Sequence, residues 1–117
     1  MQHRVGRDEL VQRSFGAGVS ARLFHGSEHG LEDISLMFGE VQPGDRVALH
    51  RHDYEELFVI HQGEVDYFIG EEKVSAGAGD LVIIPSGVPH RFVNTGSEVL
   101  LQTAVHAAAN VAIEWLE

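Results

Sequence analysis

Glycine recurs along this chain at short intervals, and the apolar runs between the glycines are too short for helices. The clearest are VSARLFHG at 19–26, ISLMF at 34–38, ELFVIH at 56–61, VDYFI at 65–69, LVII at 81–84, RFVN at 91–94 and VLLQTAV at 99–105. Runs of roughly four to eight residues bounded by turn formers predict strands. The connections agree: Gln62-Gly63 predicts a tight hairpin, Gly70 to Lys73 predicts a second, and Pro85-Ser86-Gly87-Val88-Pro89 forces a corner. No helical periodicity is sustained before residue 100. Several runs are apolar at every position, so both faces of those strands must be covered, as in a sandwich of two sheets with one outer face packed on a partner. The expectation is an all-β jelly-roll barrel of two antiparallel sheets. Residues 1–17, polar and mixed, are expected to form an N-terminal arm or short irregular segment ahead of a single barrel domain over 18–117. Ala107 to Asn110 should be a turn before a last strand within VAIEWLE.

At 117 residues the chain has room for one core, which a bound metal or a second subunit would stabilise further. Eighteen acidic residues against eight basic ones give a net charge of −10, and Lys73 is the one lysine. That balance repels phosphate backbones and anionic headgroups, so neither nucleic-acid nor membrane binding is expected. No apolar run approaches the roughly 20 residues that span a bilayer, and MQHRVGRDEL lacks a signal-peptide core, so a cytoplasmic protein is expected. There is no cysteine, so a metal would have to be held by nitrogen and oxygen.

Histidine occurs eight times. His50 and His52, two apart in an extended strand, would project from one face about 6.5–7 Å apart along the chain, close enough to converge on one ion. Arg51 would then point away. Glu56, after the Asp53-Tyr54-Glu55 turn, could bring a carboxylate to the same ion, with Glu55 facing outward. His90 follows the Pro85–Pro89 corner, which could fix the approach of a distant strand. Taken alone, an H-x-H pair is more often coincidence than a ligand pair.

The framework around these residues is more specific. Residues 44–63 read GDRVALHRHDYEELFVIHQG and fit G-x5-H-x-H-x3-E-x6-G at Gly44, His50, His52, Glu56 and Gly63. Residues 79–94 read GDLVIIPSGVPHRFVN and fit G-x5-P-x-G-x2-H-x3-N at Gly79, Pro85, Gly87, His90 and Asn94. In both blocks the sequence resembles the cupin superfamily, specifically its small single-domain members. The resemblance implies a cupin jelly roll (a double-stranded β-helix), frequent homodimerisation, and one divalent transition metal, whether Fe, Mn, Zn or Ni, held in the barrel mouth by His50, His52, Glu56 and His90. The glycines, prolines and Asn94 have structural reasons of their own: tight turns, a fixed corner and a loop hydrogen bond.

Three imidazoles and a carboxylate leave a divalent ion about +1, with two octahedral positions free. A small chelating anionic or enolisable substrate suits such a site, and a metal-dependent, dioxygenase-like oxygenase is the leading expectation. A non-oxidative isomerase, lyase or cyclase would use the metal as Lewis acid and needs a base within about 3 Å of the proton it moves. His25 and His106 are the candidates for that base, and either lying outside the cavity would count against it. A metal-containing ligand sensor without turnover is the third possibility. Arg46, with the parity of His50, is a candidate for a substrate carboxylate, and His61 should face away from the metal.

Overall fold

The computed structural model describes residues 2–117. Eleven strands form two antiparallel sheets. In chain order they are β1 (Val11–Ser14), β2 (Val19–Phe24), β3 (Ser35–Val41), β4 (Arg46–Arg51), β5 (Glu56–Gln62), β6 (Glu64–Ile69), β7 (Glu72–Gly77), β8 (Leu81–Ile84), β9 (His90–Asn94), β10 (Leu100–His106) and β11 (Glu114–Trp115). The six-stranded sheet has the order β1-β2-β3-β10-β5-β8 and the five-stranded sheet β11-β4-β9-β6-β7. From β3 onward each strand crosses to the other sheet, apart from the β6–β7 hairpin, the winding of a jelly roll. The all-β jelly-roll architecture expected from the sequence is the one observed.

Register follows from hydrophobic alternation. In the larger sheet Met37, Ala104, Phe58 and Val82 form one inward row, and Ser35, His106, Glu56 and Ile84 the next. In the smaller sheet Val47, Phe92, Tyr67 and Val74 line up across β4, β9, β6 and β7. The two inner faces meet in a core that includes Val41, Phe58, Ile60, Val65, Tyr67, Ile84, Phe92 and Leu100. A one-residue slip of any strand would turn this set outward, so burial itself fixes the pairing.

Two details depart from expectation. Gln62-Gly63 is not a hairpin, because β5 and β6 lie in different sheets and the chain passes between them there. Gly63, at φ 96°, makes that step, and a Cβ on it would stand 3.1 Å from the Leu100 Cα. The N-terminal segment holds a 3-10 turn at Arg7–Glu9 and the edge strand β1, paired with β2 from Val11↔Leu23 to Ser14↔Ser20. Every residue of β1 is exposed, which is why no apolar pattern marks it.

Candidate metal centre

His50 projects inward from β4 because of a bulge. Between Val47 and His50 the register against β9 shifts, so both residues are buried although an odd number of positions separates them. This corrects the expectation that Arg46 shares the face of His50: Arg46 is exposed and does not line the cavity. His52 lies one residue past β4 and Glu56 opens β5. His90 opens β9, opposite His50 in the ladder, with ring centroids 4.2 Å apart. The Pro85–Pro89 corner fastens the two blocks together: the Gly87 amide, at φ 77°, donates to the His52 carbonyl at 2.7 Å. Asn94 donates to the Val41 and Glu98 carbonyls, both at 2.9 Å, and accepts from the Gly96 amide.

The protonation pattern of the imidazoles follows from their neighbours. His50 Nδ1 faces the Ala48 carbonyl at 2.7 Å, His52 Nδ1 the Ala112 carbonyl at 2.7 Å, and His90 Nδ1 the Val88 carbonyl at 2.9 Å. A carbonyl only accepts, so each Nδ1 must carry the hydrogen and each neutral ring turns a bare Nε2 inward. Glu56 Oε1 lies 3.3 Å from His52 Nε2 and 3.1 Å from His90 Nε2. Those nitrogens and Oε1 are buried without a hydrogen-bond partner, as is His106 Nε2. Lone pairs facing one another at this range are costly unless a cation lies between them. Donors about 2.1 Å from one octahedral ion are separated by about 3 Å along each edge, which these distances match. The ligand nitrogens of His50, His52 and His90 also lie within 4.8 Å of one another, and a second such group joins His52 and Glu56 with His106. The residues fit a divalent metal, with the second ring nitrogen of each histidine held as metal sites hold it.

Electrostatics agree. Burial, with a contribution from neighbouring His90, pulls His50 down to about 4, so it is neutral and ready to ligate near pH 7. Burial alone would push the Glu56 carboxyl up, but contacts from His106, His52 and His90 hold it well below the usual range. Burial opposes a proton on His52, yet the Glu56 carboxylate outweighs it and raises His52; a metal would displace that proton.

The cavity leading to these residues is small, about 50 Å³, room for a few waters. Its walls are mostly apolar, among them Met37, Val47, Phe58, Phe92 and Ala104, with Phe15, Ile113 and Trp115 from the two terminal segments. Trp115 pairs with His50 in the β11–β4 ladder, and their rings are 5.1 Å apart. Sequence reasoning missed Phe15 and Trp115, which lie far along the chain from the ligands. Gln102 is a polar wall residue whose Oε1 accepts from the buried Tyr67 hydroxyl. His25 lies elsewhere, accepting from the Val111 amide at 3.1 Å. His106 is fully buried beside Glu56, with Nε2 2.9 Å from Oε2, and is not on the cavity wall. His61 is exposed, its ring 2.7 Å from the Thr103 hydroxyl.

Comparison with known proteins agrees with this geometry. Residues 37–106, more than half of the chain, match the family described as Cupin domain. Auxin-binding protein T85 of Nicotiana tabacum is 30% identical over 109 residues, covering 83% of this chain and 58% of that protein. The HTH-type transcriptional regulator PuuR of Escherichia coli K12 is 26% identical over 103 residues, covering 87% of this chain and 55% of the regulator. The chain thus spans little more than half the length of these curated relatives. Among solved structures, the polyketide cyclase RemF from Streptomyces resistomycificus superposes with a TM-score of 0.79 at 20% identity, covering 100% of this chain and 87% of that one. Fold, motif spacing and family match converge: the chain belongs to the cupin domain family.

Proposed function

We propose that this protein is a metal-dependent enzyme of the oxygenase type, with one divalent ion on His50, His52, Glu56 and His90, acting on a small enolisable substrate. The observation that carries the reading is an apolar cavity that ends on three of these residues, His50, His52 and Glu56, and has no other ionisable group on its wall. With Arg46 outside, no cation waits for a substrate carboxylate, so the substrate favoured is a neutral apolar one that ionises as it chelates. With His25 remote and His106 off the wall, a separate side-chain base is missing from the wall, which weighs against an isomerase or lyase that needs one. A bound divalent ion would supply Lewis acidity toward an enolate oxygen and, as iron, a site where substrate and dioxygen react.

The chain's own residues do the rest. The apolar wall excludes water and strengthens every charge interaction at the site. Gln102, its oxygen engaged by Tyr67, has its amide hydrogens left to donate to a substrate oxygen. Phe15, Ile113 and Trp115 limit substrate size. The test is oxygen uptake by the Fe(II)-loaded protein with β-diketones and catechols. Uptake above that of a His50→Ala control supports the reading; substrate conversion without uptake would assign the metal to non-oxidative Lewis-acid chemistry.

A second reading, a ligand-binding domain without turnover, is favoured by the likeness to PuuR. Binding of a chelating compound with neither uptake nor conversion would support it. The net charge of −10 supports a small-molecule partner rather than nucleic acid for this chain. A homodimer also fits: the outer face of the larger sheet carries Leu36, Phe38, Leu57 and Val59, and ends in Leu81 and Ile83, 61% and 70% exposed.

A further inference from the structure

We infer that Tyr54 and His106 form a hydrogen-bonded relay that holds Glu56 Oε2, so that the carboxylate meets the metal through Oε1 alone. This rests on the reading of His50, His52, Glu56 and His90 as metal ligands.

His106 stands opposite Glu56 in the β10–β5 ladder, so the two side chains enter the barrel side by side. Its surroundings differ from those of the other three imidazoles in one decisive respect. Their Nδ1 atoms face carbonyls, whereas His106 Nδ1 faces the Tyr54 hydroxyl at 2.6 Å. That hydroxyl has a single proton and several neighbours. The Ala112 amide donates to its oxygen at 3.1 Å. The Ala112 carbonyl, 3.2 Å away, already accepts from His52 Nδ1 at 2.7 Å, and His52 Nδ1 itself lies 3.4 Å from the hydroxyl. The shortest contact left for the phenolic proton is His106 Nδ1.

An imidazole that accepts at Nδ1 carries its hydrogen at Nε2. His106 is therefore the opposite tautomer to His50, His52 and His90: it is a donor where they are ligands. Its Nε2 lies 2.9 Å from Glu56 Oε2, within reach of a charge-assisted hydrogen bond, and as it stands that buried nitrogen is aligned with no acceptor. Oε1 is the oxygen turned toward His52 and His90. With Oε2 held, Glu56 occupies one coordination position, and an octahedral ion keeps two for exchangeable ligands. His106 is a positioning residue in this scheme, fully buried and off the cavity wall.

The test uses cobalt(II)-loaded full-length protein in four forms: wild type, His106→Gln, His106→Leu and Tyr54→Phe. Gln places an amide N–H near the position of Nε2, Leu removes the donor, and Phe removes the hydroxyl that sets the tautomer. Cobalt affinity should fall about 10–100-fold in His106→Leu, about tenfold in Tyr54→Phe, and return to within a few-fold of wild type in His106→Gln. Paramagnetic proton NMR of the wild type should show three exchangeable, strongly contact-shifted imidazole N–H signals, from His50, His52 and His90, and all three should persist in His106→Gln. Four signals in the wild type with one lost in His106→Gln would put His106 on the metal and overturn the relay. Unchanged affinity in both His106→Leu and Tyr54→Phe would overturn it too. A wild type that binds no cobalt would instead remove the metal centre itself, a separate result.

Discussion

At the scale of single residues, burial changes the protonation of His50, one of the proposed ligands. Its ordinary value is 6.5 and the folded metal-free protein brings it to about 4, so between those values the unfolded chain holds a proton there that the folded one does not. The stability His50 leaves intact at neutral pH is therefore lost as pH falls from about 6.5 toward 4, by up to on the order of 3 kcal/mol, and the loss levels off below. His52, raised by Glu56, has the opposite sign and offsets part of this at acid pH. Urea midpoints of the metal-free protein at pH 7 and pH 4.5 should fall more steeply for wild type than for His50→Gln; equal slopes would contradict the assignment. The four proposed ligands could be picked out in the sequence because the blocks around them fix residue type and spacing together. Arg46 was misread because no residue type marks the bulge between Val47 and His50 that reverses the parity of β4. His106 could be singled out as a histidine near the end of a strand, but its role depends on Tyr54, more than fifty positions earlier in the chain.

Among the elements, the segment ending in β11 has the weakest attachment, and it contributes Ile113 and Trp115 to the cavity wall. Two ladder pairs join β11 to β4, supplemented by the Leu116 amide on the Leu49 carbonyl at 2.9 Å and by Arg51 Nε 2.9 Å from Glu114. That ion pair is exposed and contributes at most about 1 kcal/mol. Hydrogen exchange should find the Leu116 amide opening far faster than the amides of β10, which is paired on both sides by β3 and β5. Arg51→Ala should speed its exchange by up to about fivefold while leaving β10 unchanged. Strands with apolar runs, such as β5, β6 and β8, could be read from composition, whereas β1 and β7 could not. β7 is EKVSAG, an edge strand with few apolar positions, and the fully exposed β1 is held by backbone pairing alone. β11 falls within the last strand expected in VAIEWLE, but its pairing could not be read, because its partner His50 is more than sixty positions away.

On the scale of the whole molecule, the two sheets enclose one core, and the larger sheet leaves its outer face apolar at Leu57, Val59, Leu81 and Ile83. A second copy covering that face would shield the β8 edge, which otherwise presents unpaired backbone beside exposed apolar side chains. Sedimentation equilibrium should give a dimer for wild type and a shift to monomer in Ile83→Lys, with metal content unchanged. A wild-type monomer would contradict the dimer. Convergence of His50, His52, Glu56 and His90 on one ion is put to the test by metal content. Elemental analysis of protein purified without a tag or chelator should find about one divalent transition metal per chain, lost in both His50→Ala and Glu56→Ala while the β fold is retained by circular dichroism. Stoichiometric metal in both variants, or none in the wild type after incubation with Fe(II), Mn(II), Zn(II) and Ni(II) in turn, would contradict it.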